Sequence, residues 1–141
     1  MNNSNQIVCI VFDIHGVVLE ELFGEVVKNE SIINLILDLK KNYKIVALSN
    51  ATFTSINLWN KKANLELLFD ELYFSDKTGF KKPDERAFRH LLSDLKIEAK
   101  NVLFIDDSLS NVSVAKSLGI NSVLFINTEQ LIKSLSQFTI V

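Results

Sequence analysis

Four places in this sequence set chemically capable side chains at the end of an apolar run or in a polar turn. They are Asp13, the pair Ser49-Asn50, Lys82, and the pair Asp106-Asp107. Carboxylates brought to one point repel each other unless a cation sits between them. Oxygen donors select a hard ion, and a few carboxylates with room for water and phosphate oxygens suit Mg²⁺. A lysine beside them favours the charged carboxylate and suits a phosphate. A serine hydroxyl with adjacent backbone N–H groups, as at Ser49-Asn50, can take phosphate oxygens. An ionised aspartate in such a site can attack phosphorus. The set reads as phosphoryl transfer, in which positioning and charge neutralisation supply most of the rate.

Each of these residues also has a plainer reading. Asp13 can be an acid that ends a strand, and Ser49 can cap the turn after it. Asp106 can cap a helix start or pair with Lys82. Lys81 stands one register from Lys82 and competes with it for the site. Only convergence separates the readings, and convergence depends on the elements that carry the residues.

Those elements alternate. Ile7–Asp13 is a continuous apolar run, the pattern of a strand buried on both faces, with Gly16 allowing a sharp turn after it. Residues 19–30 read as a loop with at most one short turn. Ser31 caps a helix with Ile32, Leu35, Ile36, Leu39 and Tyr43 on one face. Lys44–Leu48 is a second strand, followed by a helix over 54–66. Glu71–Phe74 is a third strand, Ser75–Lys82 a polar loop, and Pro83 opens a helix with Phe88, Leu91, Leu92 and Leu95 on its apolar face. Val102–Ile105 is a fourth strand, then a helix over 110–118 ends at Gly119. Ser122–Ile126 is a fifth strand and Thr128–Leu135 a last helix. This order predicts one α/β Rossmann-like domain over residues 1–141, a central parallel five-stranded sheet with helices on both faces. In such a sheet all carboxyl ends share one edge, where ligands bind. Asp13, Ser49-Asn50, Lys82 and Asp106-Asp107 therefore meet.

Composition removes several classes. With 48% hydrophobic and 23% charged residues, a disordered chain is excluded. A net charge of −2 gives no reason to expect nucleic acid or an anionic membrane as partner. Cys9 is the one cysteine, placed inside the first strand, so it reads as a small buried apolar group. The start MNNSNQ is polar and unlike a secretory leader, and no apolar run reaches spanning length, so a cytoplasmic location is expected. His90 reads as surface, and Trp59 and the phenylalanines as core.

The stretches FDIHGV, LSNA, GFKKPDERAF and FIDDSLSNVSVAKSLG resemble, in order, the four motifs of the haloacid dehalogenase-like hydrolase superfamily. They cover Ile7–Gly119. The resemblance implies that Asp13 is the nucleophile and a Mg²⁺ ligand, Ser49 a phosphate-binding residue, and Lys82 the lysine that steadies nucleophile and phosphate. It implies that Asp107 is the main acidic metal ligand, Asp106 an accessory one, and Asn111 a supporting residue. Receiver domains combine similar groups but pair their acids on the first strand, whereas here the pair follows the fourth.

Two departures from the family pattern carry consequences. Where its phosphatases usually have a second Asp, two residues after the nucleophile, this chain has His15. The His15 carbonyl can still bind metal, and an imidazole can protonate a leaving oxygen near neutral pH. The same substitution can mark altered or lost activity. The second departure is the absence of a substantial cap between Val17 and the first helix, which predicts an open site unless a partner or a second copy covers it. The expected function is Mg²⁺-dependent hydrolysis of a phosphomonoester, small molecule or phosphoprotein, through an aspartyl-phosphate on Asp13. The alternative is a weak or inactive relative that binds a phosphorylated ligand or a protein. Carbon–halogen cleavage fits less well, because Asp106-Asp107 predict a metal site.

Overall fold

The computed structural model describes residues 6–140, so Met1–Asn5 of the polar start lie outside the description. The strand Cys9–Phe12 (β1) is central in a five-stranded sheet. Lys44–Ser49 (β4) and Glu71–Phe74 (β5) lie on one side of it. Val102–Asp106 (β6) and Asn121–Leu124 (β7) lie on the other. Every pairing in this sheet is parallel. The chain builds outward from β1 to β5, crosses back beside β1, and builds outward again to β7. β1 is thus the switch point of the sheet, the place where an open α/β fold forms its crevice.

Burial on both faces accounts for the continuous apolar runs. Ile10, Phe12, Ile45, Ala47, Leu103 and Ile105 point into one core layer, and Cys9, Val11, Val46, Leu48 and Phe104 into the other. The first layer is covered by helices Glu30–Leu39 (α1), Phe53–Ala63 (α2), Leu65–Leu68 (α3) and Thr128–Ser136 (α7). The second is covered by Glu85–Leu95 (α5) and Leu109–Ser117 (α6). Among the described residues no helix is long and apolar enough to cross a membrane.

Five local readings of the sequence need correction. Residues 19–30, where the sequence predicts a loop, contain an antiparallel hairpin, Leu19–Leu22 (β2) with Glu25–Lys28 (β3). Its turn residues Phe23 and Gly24 both have positive φ, 52° and 80°. That is the two-residue hairpin geometry normally marked by Asn-Gly, and Phe-Gly gives a poor sequence signal for it. The α1 cap is Asn29, not Ser31: Asn29 accepts from the Ile32 N–H while its amide donates to Val17 O and Glu20, which ties the helix start to the hairpin. The helix expected over 54–66 breaks at Asn64, which adopts a left-handed conformation. A single helical turn, Ser75–Thr78 (α4), occupies the start of the polar loop. Pro83 precedes its helix instead of opening it; Asp84 is the cap and accepts from the Arg86 N–H.

Candidate active site

Register places the acids side by side. Phe12 pairs with Ala47 on one flank and Ile105 on the other, so Asp13 stands one step above them, next to Asp106. The Asp13 N–H donates to Ile105 O, which continues the ladder and fixes where the side chain leaves the sheet. Ser49 ends β4 and is buried. Asp106 ends β6 with no solvent exposure, and Asp107 follows it at the open surface.

Lys82 arrives from the turn before α5 and is buried among them. All three N–H groups of its ammonium are used: it donates to Asp13 Oδ1 at 3.0 Å, Asp106 Oδ2 at 2.8 Å and Leu48 O at 2.6 Å. The turn is held by Asn50. Its side-chain oxygen accepts from the Lys82 N–H and its amide donates to Lys82 O, both at 2.8 Å. The side chain of Asn50, expected at the phosphate, is thus committed to the lysine backbone, and any phosphate contact from Asn50 falls to its main-chain N–H. Lys81 is exposed, which resolves the register in favour of Lys82.

Asp106 is held by three donors. Its Oδ1 accepts from the Ser108 N–H at 2.9 Å, and its Oδ2 accepts from Lys82 and from Asn111 Nδ2 at 3.1 Å. Asn111, for which the family resemblance implies a supporting role, is buried with its amide on Asp106. Asp107 is accommodated by Gly16. That residue has φ +96°, and a Cβ built on it would overlap the Asp107 carboxylate. The glycine read as a turn residue is therefore also the floor beneath an acid.

His15 is placed at the mouth. Its side chain is 43% exposed, with Nε2 3.3 Å from Glu21 Oε1 on the hairpin. Its ring stacks on Trp59 of α2, centroids 5.8 Å apart and planes 28° from parallel. Trp59 does pack against the core, as expected, but it also supports this ring. Neither partner of His15 was legible: Glu21 belongs to the hairpin taken as loop, and nothing in sequence spacing relates position 15 to position 59.

The electrostatics follow from burial. Desolvation pushes the Asp13 carboxyl up to about 7; the Lys82 cation opposes the rise and the Asp106 charge adds to it. Burial of the carboxyl group, and then the Asp106 charge, push Asp107 up as well. One lysine thus does not offset the burial and mutual repulsion of these acids, and the protein groups alone disfavour their all-ionised state. Asp13, Asp106 and Asp107 each offer a carboxylate oxygen within 4.8 Å of the others. This oxygen-only donor set fits a hard divalent cation, which would stabilise the ionised forms.

A family model described as haloacid dehalogenase-like hydrolase matches residues 19–119. The chain belongs to this family. The match begins beyond Asp13 and His15, whose place in the site rests on the geometry above. A drimenol cyclase from Aspergillus calidoustus is 34% identical over 93 residues, 66% of this chain and 18% of that protein. A D-ribitol-5-phosphate phosphatase from Bacteroides thetaiotaomicron is 31% identical over 94 residues, 62% of this chain and 45% of that protein. The chain spans less than half the length of either relative. A solved HAD-family enzyme from Bacteroides thetaiotaomicron, in complex with magnesium and inorganic phosphate, superposes with a TM-score of 0.77. It shares 19% identity over 84% of this chain and 93% of that one, a likeness of fold.

Proposed function

We propose that this protein is a Mg²⁺-dependent phosphomonoester hydrolase acting on a phosphorylated small molecule through an aspartyl-phosphate on Asp13. The observation that carries the reading is the buried junction of Asp13, Lys82 and Asp106 beside Asp107, at the switch point of the sheet. The phosphatase and the magnesium- and phosphate-bound enzyme among the similar proteins support it. Asp13 Oδ1 accepts from both Lys82 and the Ile14 N–H, which leaves Oδ2 to attack phosphorus. The bond from phosphorus to the ester oxygen breaks, and the leaving oxygen takes a proton from His15 or from water. Water then cleaves the acyl-phosphate and regenerates the Asp13 carboxylate. Ser49 and the N–H groups of the following turn hold the phosphate oxygens, with the Lys82 charge beside them. Asp13, the His15 carbonyl and Asp107 would hold the Mg²⁺, with Asp106, which positions Lys82, as an accessory acid. Bound there, Mg²⁺ would neutralise charge on the transferring phosphoryl group.

Beryllium fluoride, an acyl-phosphate mimic, tests this directly. Fluorine NMR should show a bound species only with Mg²⁺ present, and Asp13→Asn should abolish it. A second reading rests on His15, which is engaged by Glu21 and Trp59 at the mouth. If Mg²⁺ binds but neither fluoride capture nor turnover of any phosphomonoester occurs, the protein is a binder of phosphorylated ligands.

A further inference from the structure

The three strands that build the site each lead, within a few residues, to an aromatic ring or an aliphatic side chain that is at least partly exposed. After Asp13 comes the His15 ring stacked on Trp59. After Ser49-Asn50 comes Phe53, 55% exposed, its ring edge-on to Phe74 at 5.1 Å. After Asp107 comes Leu109, 66% exposed. Single exposed apolar residues are ordinary on a protein surface. Here Phe53 opens the helix after β4, Leu109 opens the helix after β6 and His15 lies in the turn after β1, so all three follow the carboxyl ends of neighbouring strands.

Several polar side chains of the same loops are engaged within the protein. Thr52 accepts from the Ser55 N–H and donates to Ser55 Oγ, capping α2. Ser108 accepts from the Asn111 N–H and shares a hydrogen bond with Ser110, capping α6. Asn50 is bound to Lys82, and Glu21 to His15. A sugar or other polyol entering this mouth would find Asn50, Thr52 and Ser108 already hydrogen-bonded. An apolar group would meet ring and branched aliphatic surface instead.

Resting on the phosphatase reading, we infer that the substrate is the phosphomonoester of an apolar alcohol, its hydrocarbon part lying against Phe53, Leu109 and the His15–Trp59 pair. The phosphate is held by the buried polar floor and the ester group by the apolar collar. Removing hydrocarbon from water then contributes to affinity in proportion to the area covered.

The test measures binding, so it does not depend on turnover. Methyl-, butyl-, hexyl- and octylphosphonate, which cannot be hydrolysed at the carbon–phosphorus bond, are titrated calorimetrically into the full chain with Mg²⁺. Affinity should rise by roughly two- to threefold per added methylene, part of the roughly fourfold that full burial would give. The double variant Phe53→Ser/Leu109→Ser should flatten the series. Both residues are exposed first positions of helices, so the fold should survive. Leu67→Ser, 62% exposed on α3 away from the sheet's carboxyl edge, should leave the slope as it is. A flat series in the wild type, or an unchanged slope in the double variant, overturns the inference. If glycerol phosphate is hydrolysed while the phosphonate series is flat, the phosphatase reading stands and this one falls. If neither inorganic phosphate nor methylphosphonate binds at millimolar concentration, both fall together.

Discussion

The Lys82 ammonium and the Asp106 carboxylate meet 2.8 Å apart with almost no solvent access, 2% and 0% of their side-chain surfaces. A pair this deeply buried costs desolvation on both sides, and its attraction together with the remaining hydrogen bonds must offset that cost. Leu48 O and Asp13 take the other two lysine protons, and Ser108 and Asn111 satisfy the rest of Asp106. Lys82→Met should therefore destabilise by roughly 3–5 kcal/mol, because it strands a buried carboxylate. Lys81→Ala, on the surface, should stay within about 0.5 kcal/mol of wild type. Urea unfolding midpoints measure both. In Lys82→Met/Asp106→Asn the loss should be less than the sum of the two single losses, since the partners share one interaction. Additive losses would mean that the two groups do not stabilise each other.

Gly16 gives a second test, because two strains can be separated there. Gly16 and Gly24 both have positive φ, yet a Cβ at Gly24 meets nothing within 4 Å, whereas one at Gly16 meets the Asp107 carboxylate. Alanine at either position should cost about 1–3 kcal/mol for the backbone conformation. Only Gly16→Ala should also displace Asp107. Mg²⁺ should raise the melting temperature of wild type and Gly24→Ala by mass action. That rise should vanish in Gly16→Ala and in Asp107→Ala. A retained rise in Gly16→Ala would separate Asp107 from the metal.

The architecture was legible because parallel strands buried on both faces leave continuous apolar runs, as at Ile7–Phe12 and Val102–Ile105, and because helix faces such as Phe88-Leu91-Leu92-Leu95 repeat at helical spacing. The site was legible because acids and a serine end those runs, so topology alone carries them to one edge. Lys82 was harder, since a loop gives no register; its choice over Lys81 depends on the Asn50 clamp, a contact between residues far apart in the chain. The hairpin was missed because Leu19 and Leu22 lie three apart and lack strand alternation, and because the turn is Phe-Gly. The surroundings of His15 went unread with it.

Asp70 supplies a pH test outside the site. Burial works against its charge, but the Ile45 N–H at 2.8 Å and the Lys40 ammonium at 3.1 Å outweigh it and hold the carboxyl below the ordinary range. A depressed folded-state pKa means that the native state favours the charged form. The stabilisation is thus present above the unfolded value, near 4, and is lost as pH falls through the folded value. Asp70→Asn should lower the melting temperature at pH 7. The gap to wild type should narrow as the pH is lowered below about 4. A gap that stays constant between pH 7 and pH 3 would mean that Asp70 acts through shape and not through charge.

The last prediction concerns His15. A leaving alkoxide needs a proton, and positioned proton transfer is typically worth about 10²–10⁴-fold. The His15 ring is turned to Glu21 and rests on Trp59, so its donor nitrogen is engaged at the mouth. An imidazole is also longer and more rigid than a carboxyl group, which sets its nitrogen at a different distance from the ester oxygen. Slow turnover of alkyl phosphates, the inferred class of apolar esters included, is therefore expected, with aryl phosphates faster because their leaving oxygens need little protonation. His15→Asp shortens the side chain, frees it from the Trp59 stack and supplies a carboxyl acid. It should raise kcat on alkyl phosphates more than on aryl phosphates, by roughly tenfold or more, within the range such proton transfer spans. Glu21→Gln separates orientation from chemistry: if the Glu21 contact holds the ring away from the substrate, this variant should raise alkyl turnover and leave aryl turnover nearly constant. Steady-state rates on one alkyl and one aryl phosphate for wild type, His15→Asp, His15→Ala and Glu21→Gln decide the matter. Fast alkyl turnover by wild type, with large losses in both His15 variants, would make His15 a working acid and overturn the expected impairment.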